Sequence, residues 1–227
     1  MTPGQGNSLP AGLYAIDNGC GLTVRGEPGS GYPGDERYLA MPTRLREAEG
    51  SDPRNPDESR CLFAVAPDVL ADAAATLRRS AYMLGWIRYP GFPAALVARH
   101  GQEHLPVPWD DIDALFLGGS AECVPCRYIR PATREERIRK HCPSCGRKLI
   151  EWKLGPAARD LVAEARARRV WVHMGRVNSL KRLRYAAAIG CDSADGTHVT
   201  NAPDKNLKEV RGWAYDVDRQ LTLWETA

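Results

Sequence analysis

Five short apolar runs constrain the fold more than any other feature of the chain: residues 13–16 (LYAI), 61–66 (CLFAVA), 94–98 (AALVA), 114–117 (ALFL) and 170–173 (VWVH). Each is four to six residues long and none alternates strictly between apolar and polar. A strand with one wet face alternates, whereas a strand covered on both faces is apolar throughout, so these runs read as buried parallel strands. Most end in polar or glycine punctuation: DNG at 17–19, PD at 67–68, GGS at 118–120 and MG at 174–175. Residues 190–196 (GCDSADG) form a sixth, weaker candidate.

Helical patterns lie between the runs. Residues 69–84 are rich in Ala and Leu, with Arg78 and Arg79 near the end. Residues 156–169 open on a first-turn proline and close on Arg-Arg, which suits the negative helix C-terminus. Residues 179–189 begin at a capping serine and stop at Gly190. Residues 26–57 are rich in Gly, Pro and charge and are expected to be mostly loop, with one short helix at 35–40. Repeated strand–helix units imply parallel strands joined by right-handed crossovers. An α/β fold follows, either an open doubly wound sheet or a (β/α) barrel, with six candidate strands against a full barrel's eight.

No stretch approaches the roughly 20 apolar residues of a membrane-spanning helix. Residues 1–10 carry neither a basic segment nor an apolar one, so no signal peptide is expected and the expected compartment is the cytoplasm, a host's cytoplasm if the chain is phage-encoded. The formal net charge is only +3, but it is unevenly spread. Residues 122–150 hold eight Lys and Arg against three Glu, and residues 164–185 hold seven against one. Two basic stretches in a near-neutral chain suggest a side that faces a polyanion; a solvated helix face is the plainer alternative.

Seven cysteines cannot all pair, which argues against a disulfide framework. Four of them form Cys123-x2-Cys126 and Cys142-x2-Cys145, fifteen residues apart. Two such knuckles can each give two thiolates to one tetrahedral Zn²⁺. Four sulfurs close the coordination shell, so the ion is expected to be structural; four reduced, unliganded thiols are the alternative. This segment falls where a strand-to-helix loop belongs. The expected organisation is therefore one barrel-like domain over residues 1–227, with a zinc-ribbon-like module inserted at 121–150.

Aspartates recur at strand ends: Asp17, Asp68, Asp192 and Asp195. Functional groups of parallel α/β folds gather beyond the carboxyl ends of the strands. Asp68 alone could be only a helix cap. Together these residues suggest a carboxylate-lined pocket suited to glycosyl chemistry, with a nucleophile and a general acid/base.

In chain order, residues 14–19 (YAIDNG), 63–68 (FAVAPD), 115–120 (LFLGGS), 171–176 (WVHMGR) and 190–195 (GCDSAD) resemble the strand-end motifs of the tRNA-guanine transglycosylase superfamily. Residues 151–155 (EWKLG) and 172–180 (VHMGRVNSL) most resemble its bacteriophage DNA-modifying branch, the deoxypurine DNA modification protein A family. The resemblance spans about residues 14–204 and implies a TIM-type (β/α) barrel. The first motif is reached by residue 17, so a shortened or incomplete barrel is expected.

The resemblance also implies a reaction. An aspartate attacks C1′ of a guanosine, guanine leaves, and a 7-deazaguanine of the preQ0 type takes its place with retention. Asp195 matches the nucleophile and Asp17 the general acid/base. Asp68 matches the carboxylate that binds the base, Gly118 and Gly119 the turn that admits it, and Met174 the side chain on its face. Ser120, His173, Gly175 and Asp192 are further substrate-binding candidates. Arg134, Arg137, Arg139, Lys140 and Arg176 are the candidates for contact with nucleic acid. The familiar tRNA enzymes carry a mixed Cys/His zinc site late in the chain, and Ser and a second Gly at the positions of Asn18 and Cys20. These differences make DNA the expected substrate, with tRNA as the second reading. A non-catalytic zinc-ribbon nucleic-acid-binding protein is a third, which needs neither Asp17 nor Asp195.

Overall fold

All six strand candidates lie side by side in one parallel sheet. The computed structural model describes residues 12–20, 23–24, 27–28, 31–50, 60–70, 72–119, 121–123, 125–126, 128–130 and 139–225. In chain order the elements are β1 (Tyr14–Ile16), β2 (Thr23–Val24), β3 (Glu27–Pro28), α1 (Asp35–Glu49), β4 (Cys61–Val65), α2 (Ala73–Arg88), β5 (Ala94–Ala98), β6 (Ala114–Leu117), β7 (Ala121–Cys123), β8 (Tyr128–Ile129) and β9 (Ile150–Glu151). They continue with α3 (Pro156–Ala167), β10 (Trp171–Met174), α4 (Leu180–Ile189), β11 (Ser193–Ala194), α5 (His198–Asn201) and α6 (Pro203–Glu225).

The main sheet has the order β1-β4-β5-β6-β10-β11. Spatial order follows chain order, with none of the reversal that marks a doubly wound sheet. Burial agrees. Ile16, Ala64, Leu96, Leu115, Leu117, Val172 and Met174 share one core with Tyr38, Met41 and Leu45 of α1, Met83, Leu84 and Ile87 of α2, Leu161 and Val162 of α3, and Ala186 of α4. Phe63, Val65, Ala95, Val97 and Ala114 form a separate cluster on the opposite face. Helices thus cover one face only, and the sheet curls around the other as a six-stranded half-barrel.

Helix boundaries differ from the sequence reading in two places. Helix α1 runs to Glu49, through Pro42, instead of ending near residue 40. Burial of Tyr38, Met41, Pro42 and Leu45 along one face outweighs the lost backbone hydrogen bond and the polar composition around it. Helix α2 starts at Ala73, where the Asp72 side chain accepts from the Ala75 N–H at 2.8 Å. Asp72, not Asp68, is therefore the cap. Ser179 caps α4 and Gly190 ends it in the left-handed region, as expected. Helix α6, 23 residues long, has no counterpart in the sequence reading. Among the described residues, no helix is long and apolar enough to cross a membrane.

The cysteine segment is a small antiparallel sheet of its own, ordered β8-β7-β9, between β6 and α3. Its core is Ala121, Cys123, Cys142 and Leu149, with Tyr128 packed against them. In the chain its described residues fall between β6 and α3.

Candidate active site

Alternation along the strands selects what reaches the site. Ala15, Val97, Phe116, His173 and Ser193 face the hollow of the half-barrel. Side chains alternate with a period of two, so the next inward positions are Asp17, Arg99, Gly118, Gly175 and Asp195. All five lie just past the carboxyl ends of their strands. Beneath them is an aromatic floor, in which the His173 ring sits 4.7 Å from Phe116 and 5.1 Å from Phe63, centroid to centroid.

The two glycines keep that floor open. A Cβ on Gly118 would lie 2.8 Å from Val97 Cγ1, and one on Gly175 would lie 2.7 Å from the Phe116 ring. Gly175→Ala is expected to displace Phe116 and to lower stability by about 1–3 kcal/mol, the usual cost of overpacking. Urea unfolding measures it, and an unchanged midpoint would show that the ring moves freely.

The carboxyls of Asp17 and Asp195 are driven apart. Partial desolvation pushes the Asp17 carboxyl above the ordinary range, and the charges of Asp195 and Asp68 push the same way against the Gly19 N–H that it accepts at 2.6 Å. Desolvation also raises Asp195, but it is outweighed by the His173 hydrogen bond, the Arg176 N–H and the positive charge of Lys153, which hold the carboxyl low. Asp195 Oδ1 accepts from Arg176 N at 2.7 Å, and Oδ2 lies 3.4 Å from His173 Nε2. About half of its side chain is exposed. Opposite shifts divide two roles: the lowered carboxyl favours its ionised form, as a nucleophile requires, and the raised one moves toward its protonated form, as an acid requires.

A chain of donors orients His173. The Trp171 indole N–H only donates, and it reaches Ser193 Oγ at 2.8 Å. Ser193 Oγ lies 2.8 Å from His173 Nδ1. With the hydroxyl proton directed to Nδ1, Nε2 carries the hydrogen that faces Asp195.

Asp68 is buried, with both oxygens engaged. Oδ1 accepts from Asn18 Nδ2 at 2.9 Å and Oδ2 is paired with the Arg99 guanidinium. Asn18 also donates to Ala66 O at 2.8 Å and accepts from Cys20 N at 2.7 Å. Arg99 Nε is buried without an acceptor. The sequence reading gives neither Asn18 nor Arg99 a role in the site. Arg99 stands at the same two-residue offset past an inward side chain as Asp17 and Asp195, and that offset could have found it.

Two of the expected pocket residues lie elsewhere. Met174 is fully buried on the helix-covered face with Leu117 and Val162, because it follows inward-facing His173 by one residue. Asp192 precedes β11, at the opposite end of the strands. Its Oδ2 accepts from Val172 N at 2.7 Å, and Oδ1 lies 3.6 Å from Arg166. There it borders an open hollow of about 500 Å³ with Leu62, Pro93, Asp113 and Trp171. Gly119, with φ of +130°, continues the turn after Gly118. Arg139 and Lys140 are exposed on the module, whereas Ser120, Arg134 and Arg137 lie outside the described residues.

The four module sulfurs lie within 4.8 Å of one another, and Cys123 Sγ is 3.6 Å from Cys145 Sγ. That is too far for a disulfide and near the roughly 3.8 Å edge of a tetrahedral zinc–thiolate site. The second knuckle is shaped by Cys142 N donating to Arg147 O at 2.7 Å and Gly146 N to Cys142 O at 2.9 Å, with Gly146 left-handed at φ +69°. The quartet can hold a metal ion.

No protein-family model matches the chain. No curated protein sequence matches it either. Among solved structures, the Bacillus subtilis YkuI protein, which has an EAL domain and was crystallised with c-di-GMP and calcium, aligns at 13% identity with a TM-score of 0.40. That alignment covers 99% of this chain and 49% of YkuI, so the chain spans about half the length of that protein.

Proposed function

We propose that the chain exchanges guanine for a 7-deazaguanine in DNA through a covalent aspartyl–glycosyl intermediate. The supporting observation is the pair of oppositely shifted carboxyls, Asp195 lowered and Asp17 raised, at the ends of strands in one sheet. In the first displacement an Asp195 oxygen bonds to C1′ as the C1′–N9 bond breaks, and the departing guanine takes the Asp17 proton. In the second, the incoming base returns a proton to Asp17 as its N9 attacks C1′ and the ester opens. Asp17 thus acts first as acid and then as base.

The target nucleotide must leave the duplex stack to reach this site. The module carries Arg139 and Lys140 on its exposed surface, where they would meet phosphates. Four thiolates suit Zn²⁺ in a structural role: they would fold the module and leave the chemistry to the carboxyls.

The test is to trap the adduct on guanine-containing DNA and on tRNA, followed by nucleoside analysis of the products. An adduct on DNA supports the proposal, and one on tRNA alone moves the substrate to tRNA. Binding without an adduct on either points to a non-catalytic nucleic-acid-binding protein.

Asp17→Asn is expected to remove the alkaline limb of the pH–rate profile and to slow exchange by about 10²–10⁴-fold. It should also stabilise the fold. A carboxyl raised in the folded state contributes stability in full below the ordinary carboxylate range and loses it as pH rises through the raised value. Above the raised value only the cost of the partly buried charge remains, and Asn removes it. A lower urea midpoint for Asp17→Asn at alkaline pH would contradict this.

A further inference from the structure

Arg176 has φ of +59°, a left-handed conformation that a side chain disfavours, and its N–H is the one that meets Asp195 Oδ1. Both carbonyls around this residue are held by buried or half-buried cations. Lys153 Nζ donates to Gly175 O at 2.6 Å, and Arg182 Nη1 donates to Arg176 O at 3.2 Å. Lys153 is almost wholly buried, at 1% exposure. Both cations converge on one carboxylate: Glu151 Oε2 lies 3.9 Å from Lys153 Nζ, and Oε1 accepts from Arg182 Nη2. Glu151 is the last residue of β9, which pairs with β7 of the cysteine module through Ala121↔Glu151 and Glu122↔Ile150.

We infer that Glu151, Lys153 and Arg182 form a brace through which the cysteine module holds the Arg176 turn in its left-handed form and so aims Asp195. The inference rests on Asp195 being the nucleophile of the proposed exchange. The three are positioning residues: none of them needs to touch the substrate. The physical argument is over-determination. An unfavourable backbone conformation persists where its surroundings fix it from several sides, and here the carbonyls before and after the strained residue are each tied to the same anion. Glu151 is a natural anchor, because β9 fixes its backbone and its two oxygens serve the two cations separately. The module is then more than a nucleic-acid contact, since its closing strand carries the support of the catalytic turn. Lys153 has a further stake in the site. Burial lowers its pKa to about 8, with Arg182 and Arg176 pushing the same way and Glu151 and Asp195 pushing against them.

Amide hydrogen exchange of the full-length protein tests the brace without relying on activity. In Glu151→Gln, the Arg176 N–H is expected to exchange at least about tenfold faster than in wild type. The Val172 N–H, which bonds to Asp192 Oδ2 at the other end of the same strand, should be unchanged. Lys153→Met, which keeps the buried volume, should behave alike. An unaltered Arg176 amide overturns the inference. Equal acceleration at Arg176 and Val172 overturns it too, because it would mean general destabilisation. In steady-state assays the same variants should lower kcat by about 10–100-fold with KM unchanged, and a rise in KM alone counts against a positioning role. If wild-type protein exchanges no base, the proposed function fails while the amide result still judges the brace.

Discussion

Asp195→Asn is expected to abolish guanine release and the covalent DNA adduct together, lowering base exchange by on the order of 10³–10⁶-fold, as loss of a covalent nucleophile commonly does. Asparagine keeps the shape of the site and can still accept the Arg176 N–H, which now lies 2.7 Å from Oδ1. It has no ionised oxygen to attack C1′, so neither displacement can begin. DNA binding should survive, because in the proposed exchange the carboxylate meets the sugar carbon and not the phosphates. Single-turnover assays with denaturing gels read both effects at once. Asp192, three residues earlier, is the control. It sits at the far end of the strands, bonded to Val172 N, so Asp192→Asn should leave adduct formation within a few-fold of wild type. Adduct formation by Asp195→Asn but not by Asp192→Asn would overturn the assignment of the nucleophile.

Cys142→Ser, or removal of the metal by a chelator, should unfold the module and leave the half-barrel standing. Purified wild-type protein should carry one zinc per chain, and the variant close to none. A stoichiometry near zero in wild type, or iron in place of zinc, would sink the assignment. The expected size of the effect comes from the module's own core. Of the four buried apolar residues of its core among the described residues, Cys123 and Cys142 would be ligands of that ion, which leaves Ala121, Leu149 and part of Tyr128 to oppose the entropy of the chain. A structural zinc site supplies about 10–16 kcal/mol in small metal-folded domains, so most of the module's stability is expected to reside in the ion. The half-barrel core is a separate cluster spanning the sheet and four helices. Hydrogen-exchange mass spectrometry should therefore show loss of protection at 121–151 with β4, β5 and β6 still protected. Exchange activity should fall as well, because β9 carries Glu151.

The strands were legible in the sequence because they are buried on both faces. A short run such as AALVA at 94–98 has no solvent-facing partner to alternate with, so its composition alone announces a central parallel strand. The cysteine module was legible for a similar reason: tetrahedral ligation imposes a spacing that survives in one dimension. Asp17 and Asp195 could be singled out by type and by position past a strand. Local signals failed where tertiary contacts overrode them. Helix α1 crosses Pro42 because Tyr38, Met41 and Leu45 find a core that no local rule contains.

Three features of the site belong to the tertiary structure alone. Which neighbours face the hollow depends on strand phase, and that phase sends His173 inward and Met174 to the helices, while the start of β11 at Ser193 leaves Asp192 at the far end. The split between the two carboxyls depends on desolvation, on the charge of Asp195 acting on Asp17, and on His173 and Lys153 acting on Asp195, residues that the chain keeps far from Asp17. The sequence by itself gives neither Lys153 nor Arg182 a role; folding brings them to the carbonyls of Gly175 and Arg176. By itself the sequence determined the residue types, the burial of the strands and the ligand spacing, because these follow from covalent order and local geometry. The tertiary structure decided facing, the direction of each carboxyl's shift and support, because electrostatics and packing act through space between residues that the chain keeps far apart.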